Sequence, residues 1–176
     1  MRRANTFDVR PLSHHGRLAL IELLESSAAC WNEINYDRRQ TYFEARYDAD
    51  DRHAVSELEA IVRNAASQEE YCNKYIQQLS SSIPQQLERK NRQTWKGFLD
   101  LLRKYRDPED ADVTDEPSPP GYWKEDGKRQ LHTVIRNDTY FVELGEHSRL
   151  KIPVGKELKE KYGYGYNKNS ASKNSA

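Results

Sequence analysis

The sequence predicts an α+β fold in which a block of helices is inserted into a small β-structure. Three observations carry that prediction. Apolar side chains recur at helical spacing from residue 14 to about residue 106. Before and after that block they alternate with period two. The order along the chain is therefore strand, helices, loop, strands, with one strand ahead of the helices and several behind them. A chain of 176 residues is long enough for one domain, or for a domain with a subdomain.

The first element is the stretch TFDVRPL, where Phe7 and Val9 alternate with Asp8 and Arg10 before Pro11 ends the strand, with Leu12 just past it. Ser13 is placed to cap the helix that follows. From His14 to about Arg46, Leu20, Leu24, Ala28, Trp31, Ile34, Arg38 and Tyr42 fall at steps of three and four, with Leu23 and Cys30 widening the stripe. Asp48, Asp50 and Asp51 predict a break. Residues 52–79 form a second, less regular helical region, with a new start at Ser67–Glu70. The clearest helix opens at Ser82, where Ser82 and Gln85 match a capping box and Pro84 is tolerated in the first turn. Ile83, Leu87, Asn91, Thr94 or Trp95, Phe98, Leu101 or Leu102, and Tyr105 line its apolar face.

Residues 107–120 are acidic and proline-rich and predict a loop that tolerates disorder. Period two returns in Leu131, Thr133 and Ile135 and again in Tyr140, Val142 and Leu144, with Asn137-Asp138 as the turn between them. Residues 149–152 predict a third strand, stopped by Pro153. Residues 157–162 predict a short helical turn, and 163–176 a disordered, low-complexity tail.

Composition excludes some classes. No window approaches the run of about 18 apolar residues that spans a bilayer, and the N-terminus has no signal-peptide core, so a soluble cytoplasmic protein without a membrane partner is expected. The only cysteines, Cys30 and Cys72, fit buried thiols better than a zinc site or a disulfide framework. Net charge is zero, yet it is unevenly distributed: residues 80–106 carry seven Lys/Arg against two Asp/Glu, and residues 107–127 carry one against eight. A local patch sets the local potential, so a polyanionic ligand remains open.

Candidate chemistry centres on the helix from Ser82. Arg89, Arg92, Lys96 and Arg103 lie at offsets of three, four and seven and share one stripe. Such a stripe fits a phosphate backbone; it equally fits a solvated helix face, and the acidic loop that follows could mask it. Arg3 and Arg10 form a second basic cluster with Arg2, and Arg38 with Arg39 a third. Tyr122 and Trp123 beside Lys124 fit either a stacking platform for bases or an anchor of the hairpin on the helices. His14, His15, His53, His132 and His147 show no metal-ligand spacing, and neither a glycine-rich phosphate loop nor a nucleophile elbow occurs. No catalytic residue, metal or cofactor is expected.

RANTFDVRPL, AACWNEINYDRRQTYF, IPQQLERKNRQTWKGFLDLL, PSPPGYW and SRLKIPVG occur in an order that resembles the N-terminal half of TnpB, or OrfB, a transposon-encoded family related to type V CRISPR effectors. The resemblance covers roughly residues 3–165 and includes the aromatic-Asn pair Trp31-Asn32. It implies a wedge-like partial β-barrel made of residues 1–13 and 121–162, with strands at 6–10 and 131–152, and a helical insertion at 14–106. It also implies that the chain is truncated. The family's RuvC-like nuclease and zinc ribbon lie further along its chain, so no catalytic residue carries over. What the resemblance implies is a non-catalytic portion that holds guide RNA or DNA, through Arg89, Arg92 and Lys96 and through Arg38 and Arg39. A full-length relative or the missing nuclease domain would be a partner. The competing expectation is a protein-interaction module, or a decayed transposon fragment without activity.

Overall fold

The computed structural model describes residues 10–11, 13–48, 55–107, 115–125, 128–129, 131–145 and 148–163. Helix α1, His14–Asp48, starts where Ser13 caps it: the Gly16 N–H donates to Ser13 Oγ at 3.0 Å. It runs 35 residues, about 50 Å at the usual helical rise. Helices α2, Val55–Asn64, and α3, Gln68–Leu79, divide the second helical region at Ser67, as expected. Helix α4, Ser82–Arg106, is the clear amphipathic helix of the sequence. The fold is α+β and mostly helical.

The four helices pack pairwise around α1 and α4, and their apolar side chains form two clusters. One holds Leu23, Trp31, Ile34, Tyr71, Tyr75, Leu79, Ile83 and Leu87; the other holds Tyr42, Leu58, Val62, Trp95, Phe98, Leu99 and Leu102. Between them, on both long helices, sits a buried polar layer of Asn35 and Arg38 from α1 and Glu88 and Asn91 from α4. Because α1 touches α2, α3 and α4, it buries residues over a wide arc, which is why its stripe needed widening to include Leu23 and Cys30.

Two expectations for α4 are corrected. The Ser82–Gln85 capping box does not form: Ser82 is already helical, and Ser81 at the N-cap makes no side-chain cap bond. The connection from α3 turns at Ser80, with φ 64°, and the helix begins at once. Thr94, Leu101 and Tyr105 are exposed, and Trp95 and Leu102 take the buried positions offered as alternatives.

After α4 the chain returns as a strap laid antiparallel on α1. Glu116 pairs with Arg46 at 2.9 Å, the Pro119 and Pro120 carbonyls meet Arg39, and Trp123 meets Asn32. Farther down, Ser27 Oγ donates to Thr133 Oγ1 at 2.9 Å. The proline-rich loop is therefore pinned at its C-terminal end, against the expectation that disorder there would be harmless. Residues 108–114 of it lie outside the described residues.

The strands differ from expectation. Residues 131–135 form no strand: Leu131 is exposed, Thr133 meets Ser27 of α1, and Val134 packs against the first cluster. The turn at Asn137-Asp138 is present, closed by Thr139 N–H to Arg136 O at 3.1 Å. Strand β1, Lys124–Glu125, pairs with β2, Lys128–Arg129, and β3, Phe141–Glu143, pairs with β4, Arg149–Lys151, both antiparallel. Among the described residues these are two separate two-stranded ladders and no hydrogen bonds join them into a barrel. The expected strand at 6–10 lies outside the described residues except for Arg10. No helix among the described residues is long and apolar enough to cross a membrane.

Helix α5, Lys156–Lys161, seats Leu158 in the first cluster and rests on α3. Gly155 makes this possible: its N–H donates to Gln78 O at 3.0 Å, and a Cβ there would stand 2.1 Å from Gln77 O. Gly155→Ala must therefore push α5 away from a backbone that cannot yield. The expected result is a loss of about 2–3 kcal/mol of stability, read from urea unfolding, with the helices α1–α4 intact by circular dichroism.

Candidate nucleic-acid interface

The polar layer fixes how α4 faces the solvent. Arg38 is fully buried, and its Nη2 donates to Glu88 Oε1 at 2.6 Å while its Nη1 donates to Asn91 Oδ1 at 2.6 Å. Burial pulls the Arg38 guanidinium below its usual range, and the hydrogen bond to Glu88 opposes that pull. The same Glu88 oxygen accepts from Arg92 Nε at 3.0 Å and Nη2 at 2.8 Å. Glu88 Oε2 and Arg38 Nε have no hydrogen-bond partner among the described residues. One buried carboxylate oxygen thus holds two guanidiniums, one inside the bundle and one at its surface.

The layer continues into the strap. Asn35 Oδ1 accepts from Trp95 Nε1 at 2.8 Å, and Asn35 Nδ2 donates to the carbonyls of Pro120 at 2.9 Å and Gly121 at 3.0 Å. Asn32 Oδ1 accepts from the Trp123 N–H at 2.7 Å. The Trp123 ring stacks on Trp31 at 4.4 Å between centroids, with 9° between planes. Lys90 lies over the same ring at 5.8 Å, and Arg39 lies 5.5 Å from the centre of Tyr122. Trp123 is an anchor for the strap, which is the second of the two roles the sequence allowed for it.

The outer face of α4 is different. Arg89 and Lys96 are exposed and have no ion-pair partner among the described residues. They stand two turns apart on one side, about 10.5 Å along the axis. Arg92, between them, is half exposed but committed to Glu88. Arg103 extends the stripe and pairs with Asp100 at 2.8 Å and Glu59 at 3.3 Å. The described end of the acidic loop leads to Arg46 on α1 and leaves Arg89 and Lys96 uncovered.

The predicted residues therefore separate. Arg89, Arg92, Lys96 and Arg103 come together on one helix face. Arg38, expected at the surface, is inside the bundle, because a charge on the stripe between Ile34 and Tyr42 must point inward and find Glu88. Arg39 is half-buried and spends its guanidinium on the strap carbonyls. Arg10 is exposed and remote in sequence from the stripe, and Arg3 lies outside the described residues. Lys90 follows Arg89 in sequence but lies on the other flank of α4, where its ammonium sits over the Trp123 ring.

Over 151 residues the chain is 30% identical to the TnpB-like protein ORF457 of Acidianus two-tailed virus, a match covering 85% of this chain and 29% of that protein. The chain thus spans less than a third of the length of the curated relative it matches. No family model matches the chain. No solved structure matches it either. The likeness supports a relation to the TnpB-like, transposon-associated proteins.

Proposed function

We propose that this relative of the TnpB-like proteins binds RNA or DNA by its phosphate backbone, on the outer face of α4, and does not itself cut. The observation that carries the reading is the pair Arg89 and Lys96, exposed, unpaired among the described residues and held two turns apart on a 25-residue helix. Such cations displace condensed counterions when they meet phosphates, so binding is strong at low salt and indifferent to sequence. The half-committed Arg92 borders the same contact. In the same reading the segments 1–13 and 121–162 belong to a wedge-like β subdomain beside the helical insertion, and the nuclease portion of a longer relative is a partner.

The test is equilibrium binding of a structured RNA and a DNA duplex across a salt series. Wild type should bind tightly at low ionic strength. Replacing Arg89 and Lys96 together by Ala should weaken binding alike across sequences and lower the salt slope by about two. Arg92→Ala should lower it less than Lys96→Ala does, because Glu88 already holds that guanidinium. Absence of binding at low salt, or an unchanged slope in the double variant, contradicts the reading. Metal-dependent cleavage by the purified chain contradicts its non-cutting part.

A further inference from the structure

Glu88 Oε1 is crowded. It accepts from Arg38 Nη2 at 2.6 Å, from Arg92 Nε at 3.0 Å and from Arg92 Nη2 at 2.8 Å. The two arginines differ in freedom. Arg38 is fully buried, away from solvent, and cannot leave the carboxylate. The Arg92 side chain is 48% exposed and reaches Glu88 from the next turn of the same helix. Two guanidiniums around one carboxylate leave a net positive charge, so Arg38 alone already neutralises Glu88. Burial is the main pull on the Arg38 guanidinium below its usual range, and the nearby Arg92 charge adds to that pull. An exposed pair of the i,i+4 kind is weak, and a phosphate offers a guanidinium two anionic oxygens at once.

We propose that Glu88 is a fixed internal counter-charge that withholds Arg92 from a polyanion on the outer face of α4, so that this buried residue sets how tightly the face binds. This role presupposes the phosphate contact proposed above. Arg92 divides its time between Glu88 and phosphate, and Arg38 keeps Glu88 neutralised in both states. Without Arg38, a departing Arg92 would leave a bare carboxylate in the core. Arg103 is the contrast on the same stripe. Its partners, Asp100 and Glu59, are partly exposed and can swing aside with it. Glu88 is locked beside Arg38 and cannot.

The test is the salt series of RNA binding on the double variant Arg38→Met with Glu88→Leu. It removes one charge of each sign, so the net charge of the bundle is unchanged. Binding of a structured RNA at low salt should tighten about two- to fivefold, and the salt slope should steepen by up to about one, because Arg92 is free to meet a phosphate. Adding Arg92→Ala to that background should cancel both gains. Should the double variant fail to fold by circular dichroism, Glu88→Gln serves in its place. Arg92→Ala on wild type and on Glu88→Gln then separates the Arg92 share from the change in net charge. Wild type that does not bind at low salt overturns the phosphate contact itself, and this role with it. Wild type that binds, beside a folded variant equal to it in affinity and slope, overturns the role of Glu88 alone. Gains that survive Arg92→Ala do the same.

Discussion

Glu88→Ala is expected to lose about 3–5 kcal/mol of folding free energy. The reason is Arg38, which is wholly buried and would keep its charge with only Asn91 left to meet it. Arg92 would swing free into solvent. The pair is not valuable for its attraction alone, since desolvating both charges offsets most of that attraction. The double replacement Arg38→Met with Glu88→Leu should therefore recover most of the loss. Urea unfolding followed by circular dichroism measures all three proteins. A Glu88→Ala variant as stable as wild type would mean that Arg38 reaches water, and the polar layer would lose its role in setting the register of α1 against α4.

Asn35→Ala is the second large effect, about 2–3 kcal/mol, and it differs in kind. Asn35 joins α4 to the strap by hydrogen bonds: it accepts from Trp95 Nε1 and donates to the Pro120 and Gly121 carbonyls. Its loss leaves the indole N–H and two carbonyls without that partner. The strap should loosen before the helices do. Limited proteolysis should then cut between residues 116 and 123 in the variant under conditions where wild type resists, while the helical signal persists. Cutting confined to other sites would contradict the strap as described.

Much of the bundle was legible because its signals are local. Helix α4 places apolar residues along one side and polar residues along the other, so one face is self-evident. Ser13 announces the start of α1. The rest depended on partners far away in sequence. Arg38 stands in the apolar stripe between Ile34 and Tyr42, and Asn91 stands in that of α4; two polar residues on inward faces are the signal of a buried layer. Nothing near Arg38 shows that Glu88, fifty positions on, completes it. The segment 131–135 alternates in sequence as a strand does, but Leu131 is exposed and Val134, at the other parity, reaches the first cluster. The stretches AACWNEINYDRRQTYF, LERKNRQTW and PSPPGYW, separate in sequence, meet in one network through Asn32, Asn35, Asn91 and Trp123.

The proposed function requires phosphate to meet the outer face of α4. Backbone amide shifts of the labelled chain, recorded while a structured RNA is added at low salt, test that most directly. The predicted result is a continuous set of perturbed amides from Arg89 to Gly97 that returns to its starting positions as salt is raised. Perturbation confined to the β3–β4 ladder, or none along α4, would contradict it.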